Sequence, residues 1–333
     1  MIKYIINRLI YAIILLWLIS IVSFLVIELP PGDYLTSVVA AMEQAGGAVS
    51  AEQLEALRQQ YGLDLPTYMR YFKWISGFLV GNFGFSFEWN RPVADLVFEP
   101  LLLDAVIALM IVLVTYAIAI PIAIYSATHQ YSVGDHAVTF LSLLGLATPS
   151  FLLALVTLYV STTWLGWDLT GLYSDEFLLA PWSFSKILDM LMHLPTQIII
   201  VSTYMAAGIV RVMRASLLDE LRKQYVVTAR SKGVSERRLL IKYPVRLALN
   251  PIVSELAMVL PSTISAATVT AVVLGLPTAG PMLLRALISQ DTFLSATILM
   301  FLSFIVVIGS SIADILLVIV DPRIKLGKAE TRG

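Results

Sequence analysis

Six stretches of this chain run on with almost no charge, and that limits how their backbone can be satisfied. Leu9–Ile27 has 19 uncharged residues, Ala105–Ala127 has 23, Ala137–Trp164 has 28, Leu194–Val210 has 17 and Thr292–Ala313 has 22. A sixth run, from about Pro251 to Leu276, is interrupted only by Glu255. About 20 helical residues cross the roughly 30 Å of bilayer hydrocarbon. Lipid offers no partners to peptide groups, so a spanning segment is a helix or a strand of a closed barrel. None of the runs has the period-two alternation of barrel strands. The expected fold is therefore an all-α, multi-span membrane protein with six helices. Composition agrees, since 58% of the 333 residues are hydrophobic and 14% charged, against about 25% charged in ordinary soluble domains. This excludes a disordered chain and a nucleic-acid-binding protein, and fits a soluble enzyme poorly.

Lys3 and Arg8 precede the first run. Its apolar core is longer than that of a secretory signal, and Leu-Pro-Pro-Gly-Asp follows in place of a small-residue cleavage pattern. It reads as a retained span. Cytoplasmic loops carry the excess of Lys and Arg. With the N-terminus inside, residues 1–8, 128–136, 211–246 and 322–333 hold 16 of the 22 basic residues, ten of them in 211–246. Both termini are expected in the cytoplasm. The expected division is a first helix over 1–28, an extracytoplasmic segment over 29–100, a five-helix core over 101–320 and a tail over 321–333.

The outer segment carries eight acidic and four basic residues. Ser50-Ala51-Glu52-Gln53 fits a capping box that opens a helix through about Tyr61. Pro66 can begin a second helix, with Tyr68, Phe72, Ile75 and Leu79 on one packing face and Gly81-Asn82-Phe83-Gly84 ending it. The basic segment 211–246, net +7, has helical pattern instead of low complexity. Leu217, Leu218, Leu221, Tyr225 and Val226 form an apolar stripe, Gly233 is a natural stop, and Ser235 is a candidate cap. A loop that only set orientation would need positive charge but no amphipathic helices. This one looks built to touch something in the cytosol.

Known catalytic patterns are missing. There is no cysteine, no phosphate-cradling G-x-x-x-x-G-K-[ST], no G-x-S-x-G and no H-E-x-x-H. His129, His136 and His193 are too scattered for a metal site. If transport is active, the energy source is on another chain or ions drive it. Ion coupling would need ionisable groups within the bilayer. Glu28, Asp104, Glu255 and Asp314 are the candidates, and each reads as lying at or near a helix end.

The chain resembles the inner-membrane permease subunits of the oligopeptide/dipeptide/nickel branch of ATP-binding-cassette (ABC) importers. The resemblance runs through Leu29-Pro30-Pro31-Gly32-Asp33, Tyr61-Gly62-Leu63-Asp64-Leu65-Pro66, Gly84-Phe85-Ser86 and Pro149-Ser150-Phe151. Its densest block is Arg211-Val212-Met213-Arg214-Ala215-Ser216-Leu217-Leu218, followed by Thr228-Ala229-Arg230-Ser231-Lys232-Gly233. Asp321-Pro322-Arg323-Ile324 closes it. Such permeases contact their ATPases through a Glu-Ala-Ala, three residues, Gly signature. Its positions fall on Val227, Thr228, Ala229 and Gly233, and only the last Ala and the Gly match. After the fifth span the branch reads Glu-Thr-Val-Phe-Gly-Trp-Pro-Gly-Leu-Gly. Ala271 to Gly280 stand there, keeping Gly275, Pro277 and Gly280 but losing the Glu.

The resemblance implies the type I importer permease fold, six helices with a small extracytoplasmic insertion after the first. It implies a bacterial inner-membrane location and no enzyme activity on this chain. ATPase coupling would fall to Glu220, Tyr225, Thr228, Ala229, Lys232 and Gly233, and an extracytoplasmic gate loop to Gly275, Pro277 and Gly280. The implied partners are a second homologous permease, two cytosolic ATPase subunits that carry ATP and Mg, an extracytoplasmic solute-binding protein and the lipid bilayer. No cofactor is expected on this chain. The solute would be peptide-like or oligosaccharide-like. The competing reading is an ion-coupled secondary carrier that works without ATPases.

Overall fold

A computed structural model describes residues 2–30, 32, 34–36, 39, 55, 58, 63–178 and 180–320. The helix expected from Ser50 to about Tyr61 falls almost wholly outside these residues, as does the tail. Helices dominate the described chain. In order they are α1 (Ile2–Glu28), α2 (Thr67–Phe78), α3 (Val93–Thr128), α4 (Val133–Ala147), α5 (Ser150–Val160), α6 (Phe184–Leu221), α7 (Gln224–Ser231), α8 (Glu236–Lys242), α9 (Pro244–Leu274), α10 (Ala279–Ile288) and α11 (Thr292–Val320). A two-residue hairpin pairs β1 (Phe85–Ser86) with β2 (Arg91–Pro92), antiparallel.

Among the described residues, four helices, α1, α3, α6 and α11, are each long and apolar enough to cross a membrane. The other two expected spans are bent pairs. Residues Val133–Ala147 and Ser150–Leu165 turn through 105°. The cause is local: Pro149 drives Thr148 into extended backbone (φ −105°, ψ 118°), which the helix cannot pass through. The uninterrupted run Ala137–Trp164 therefore hides a sharp break. The fifth-span region bends by 56° between Leu256 and Met258. Pro261 lies within α9 and has no N–H to offer the carbonyl four residues back, at the bend. Counting each bent pair as one span gives six.

The chain divides into two compact units. In the unit formed by Met1–Ala105 and Pro277–Val307, α2 packs through Trp74, Tyr71 and Phe78 against Phe24 and Ile27 of α1 and Ala296 of α11. The indole Nε1 of Trp74 donates to Thr297 Oγ1 at 3.1 Å, and Ser20 Oγ meets the Tyr71 hydroxyl at 2.9 Å. This corrects the expected face of α2. Tyr68, Phe72 and Leu79 are exposed, and of that stripe only Ile75 joins the core. Glu28 ends α1, where its carboxylate accepts from Arg70 Nη2 and from Thr292 Oγ1.

In the unit formed by Val106–Leu276 and Ile308–Gly333, the core joins α3, α6 and α9. Ala119, Ala123 and Ala127 of α3 repeat every fourth residue and meet Ala206, Met213 and Leu217 of α6 and Ala248 and Ile252 of α9. Small residues at that spacing let helix backbones approach closely where lipid gives no hydrophobic drive between helices. Polar bonds tie the same helices. Tyr116 Oη donates to the Ile252 carbonyl at 3.3 Å, Gln197 Nε2 to the Ala267 carbonyl at 3.0 Å, and Ser202 Oγ to the Ile111 carbonyl at 3.1 Å.

Candidate functional site

The basic segment leaves the core on α6. Leu217 is buried at its end, and Leu218 and Leu221 pack against the same cluster. Two residues later α7 begins, and its Val226 is fully buried. The apolar stripe seen in the sequence thus fastens α7 to the core and leaves the other faces free. Glu220 sets the angle between the two helices. Its Oε1 accepts from Lys223 Nζ at 2.6 Å, and its Oε2 accepts from the Tyr225 hydroxyl at 2.6 Å. Burial, and after it the Glu220 carboxylate, hold the Tyr225 phenol above its ordinary pKa. Tyr225 therefore stays a neutral donor.

Thr228, Lys232 and Gly233 are exposed, and Ala229 is half-buried. Thr228 Oγ1 donates back to the Gln224 carbonyl at 2.9 Å. The C-terminus closes on Gly233, where the Gly233 N–H meets the Arg230 carbonyl at 3.0 Å and the Val234 N–H meets the Ala229 carbonyl at 3.3 Å. This paired closure needs a left-handed residue, and Gly233 has φ +76°. Ser235 precedes α8 but makes no side-chain cap bond. Of the six expected coupling residues, Glu220 and Tyr225 are buttresses on the near side. Thr228, Ala229, Lys232 and Gly233 occupy the last turn of α7 and its closure.

Sequence reasoning missed the anchor behind this segment. Asp135, on α4, accepts from Arg214 Nε and Nη2 of α6, both at 2.7 Å. It also accepts from Ser126 Oγ of α3 and from the Tyr131 N–H at 2.9 Å. The turn at 128–132 is thereby fixed to the end of α6. The two segments that charge counting put on one side of the membrane are bonded to each other. Residues 128–136 contain no Lys or Arg, which concealed this, because the cation Asp135 uses sits on another helix.

The expected gate-loop residues fall into separate elements. Gly275 closes α9 with φ +65°, its N–H reaching the Val272 carbonyl and the Leu276 N–H the Ala271 carbonyl. In the other unit, Pro277 is exposed and Gly280 is buried in the first turn of α10. Asp104 Oδ2 accepts the Ala279 N–H at 2.9 Å. Asp104 was expected at a helix end, but α3 begins at Val93 and encloses it. Its role is to cap another helix.

Glu255 lines a cleft of about 270 Å³ together with Tyr204, Met205, Gly208, Met258 and Ser262. It brings a carboxylate to an otherwise uncharged wall between α6 and α9.

Residues 119–326 match the family described as "Binding-protein-dependent transport system inner membrane component". Residues 1–103 match "Binding-prot-dependent transport system membrane comp, N-term". The oligopeptide transport system permease protein AppB of Bacillus subtilis is 32% identical, over 98% of this chain and the whole of that protein. A putative peptide permease protein of Brucella ovis is also 32% identical over the same shares. The nickel import system permease protein NikB of Staphylococcus aureus is 28% identical, over 99% of this chain and 95% of that protein.

Proposed function

The chain belongs to the inner-membrane components of binding-protein-dependent transport systems, and on that footing we propose that it is a permease subunit of an ATP-driven peptide importer. The observation that carries the reading is α7. It is a short helix fastened by Val226 and the Glu220–Tyr225 bond, and most of its last turn is exposed, with Ala229 half-buried. That is the shape of a part made to seat in another protein. Thr228, Ala229, Lys232 and Gly233 would touch a cytosolic ATPase subunit, and Glu220 and Tyr225 would hold the angle. ATP and Mg would be bound by a pair of such subunits, since the sequence has no phosphate-cradling loop. A second, homologous permease would complete the path, and an extracytoplasmic binding protein would deliver the solute.

Relatives named for peptides and for nickel support peptide as the solute class, with a nickel complex next. None of those names supports the oligosaccharide expectation, which is set aside. The side chains of Glu255, Tyr204 and Ser262 would line the path. The 16-to-6 excess of basic residues supports cytoplasmic termini.

The experiment is affinity purification of the full chain from its own membranes, followed by uptake in vesicles. Co-purification with ATPases, and peptide uptake that stops on ATP depletion but survives a protonophore, is the expected result. Uptake that persists without ATPases and collapses with the proton gradient would overturn the reading in favour of an ion-coupled carrier.

A further inference from the structure

One face of α8 carries three cations and lies directly before a span. Arg237, Arg238, Ile241 and Lys242 fall at i, i+1, i+4 and i+5, and so share a side of the helix. With Ser235 they line one cleft of about 380 Å³. The opposite side is core, where Leu239 is buried and Leu240 packs against the cluster of α3, α6 and α9. The acid of this helix is already engaged: Arg230 grips Glu236 through Nε at 2.6 Å and Nη2 at 3.1 Å. No carboxylate lines the cleft. A strong positive field is left facing outward, beside an Ile241 side chain that is 59% exposed.

The position of α8 decides what such a face meets. It ends at Lys242, and α9 starts at Pro244. The first residues of α9, 244–250, rise about 10 Å before the apolar run begins, enough to cross the roughly 5–8 Å of headgroup region on one side. Tyr243 stands at the junction, with the Lys242 ammonium 5.4 Å from its ring centre. Tyrosine at this level, exposed aliphatic surface and clustered cations are together what a helix needs to lie against anionic lipid. A water-soluble partner would account for the charges, but not for their placement at the foot of a span beside an interfacial tyrosine.

We propose that this face of α8 binds the phosphate headgroup of an anionic phospholipid at the membrane surface. Arg237, Arg238 and Lys242 hold the phosphate, and Ile241 dips toward the acyl chains. The site shares no residue with the cleft at Glu255, so it holds whichever solute the chain carries.

The full chain, purified in detergent, is titrated with phosphatidylglycerol and separately with phosphatidylcholine, and bound lipid is counted by native mass spectrometry. Phosphatidylglycerol is expected to bind in preference. The R237Q/R238Q/K242Q variant should weaken it roughly a hundredfold, since each cation near a lipid surface is worth about fivefold. R237K/R238K, which keeps the charge, should retain it. If the triple variant fails to fold, R238Q alone should lose about fivefold. Equal binding by wild type and neutral variants overturns the proposal. So does lipid displaced by inorganic phosphate, which would mark a site for the free anion. A neutral variant that keeps its lipid but loses a co-purifying ATPase would assign the face to that protein, and would also overturn it.

Discussion

Asp135 at the start of α4 and Arg214 near the end of α6 hold each other through two parallel contacts of 2.7 Å, although 79 residues separate them in sequence. The Asp135 side chain is 2% exposed and that of Arg214 24%. The pair stands about two helical turns from the end of α6, where the chain turns into α7. These bonds therefore tie the end of α6 to α3 and α4.

The asymmetry in exposure predicts an asymmetry in mutants. R214Q leaves a charged carboxylate buried, whereas D135N leaves a cation that can reach water. Breaking a buried pair from the side that strands the buried charge costs about 3–5 kcal/mol. R214Q should therefore lower stability by about 3 kcal/mol and D135N by less, and the double variant should lose less than the two together. Denaturant titration of the purified protein measures all three. Strictly additive losses would show that the two residues act independently.

Under the proposed role, a bulky residue in the last turn of α7 disturbs its seating on the ATPase. Ala229→Trp should still insert in the membrane, while ATP hydrolysis no longer responds to solute. Reconstituted ATPase assays with and without solute-loaded binding protein test it. Normal stimulation in that variant would remove Ala229 from the interface.

Gly233 closes α7 at φ +76°, where a β-branched residue is strained and Asn is tolerated. Gly233→Val should destabilise the closure by about 1–2 kcal/mol and reduce coupling, while Gly233→Asn keeps most of both. Hydrogen exchange at the Val234 amide, which bonds the Ala229 carbonyl, reports the closure directly. Equal exchange in the two variants would contradict the argument.

Asp104 caps α10 by accepting the Ala279 N–H. Loss of a capping acceptor costs about 1 kcal/mol. D104A should speed amide exchange over the first turn of α10, and D104N, which keeps an acceptor oxygen, should do so less. Unchanged exchange in D104A would mean that α10 does not depend on this cap.

Asp291, just before α11, is buried and accepts from Ser86 Oγ at 2.6 Å and from the Glu88 and Leu294 N–H groups. Burial outweighs these donors and raises its carboxyl above the ordinary value. The folded protein then keeps this proton at a pH where the unfolded chain has lost it. The stability so contributed is complete below about pH 3.9, the unfolded value, and is lost as pH rises through the folded value. Melting of wild type should fall across that window on raising pH, and D291N should flatten the slope. An identical slope in D291N would place the effect elsewhere.

The number and helical nature of the crossings were legible because run length and lack of charge are properties of contiguous residues, and lipid leaves the backbone one answer. The α6–α7 stripe was legible for a related reason, since Leu217 and Val226 alternate with charges that cannot be buried. The face of α2 was not. Tyr68, Phe72 and Leu79 are as apolar as Trp74, which is buried, and Tyr71, which packs against the same cluster, so periodicity found a helix but could not choose which side packs. The break inside 137–164 was written at Pro149, which sets Thr148 in extended backbone, but its 105° angle is read only from the fold.

What the sequence by itself determined was therefore the solvent: a chain that must live in lipid, with a basic, helical segment outside it. Only the tertiary structure decided which distant polar groups answer one another. Asp135 finds Arg214 and Asp104 finds Ala279, 79 and 175 residues away. A buried carboxylate must be satisfied by whatever donor the fold brings within about 3 Å, and no local pattern in the chain records which donor that is.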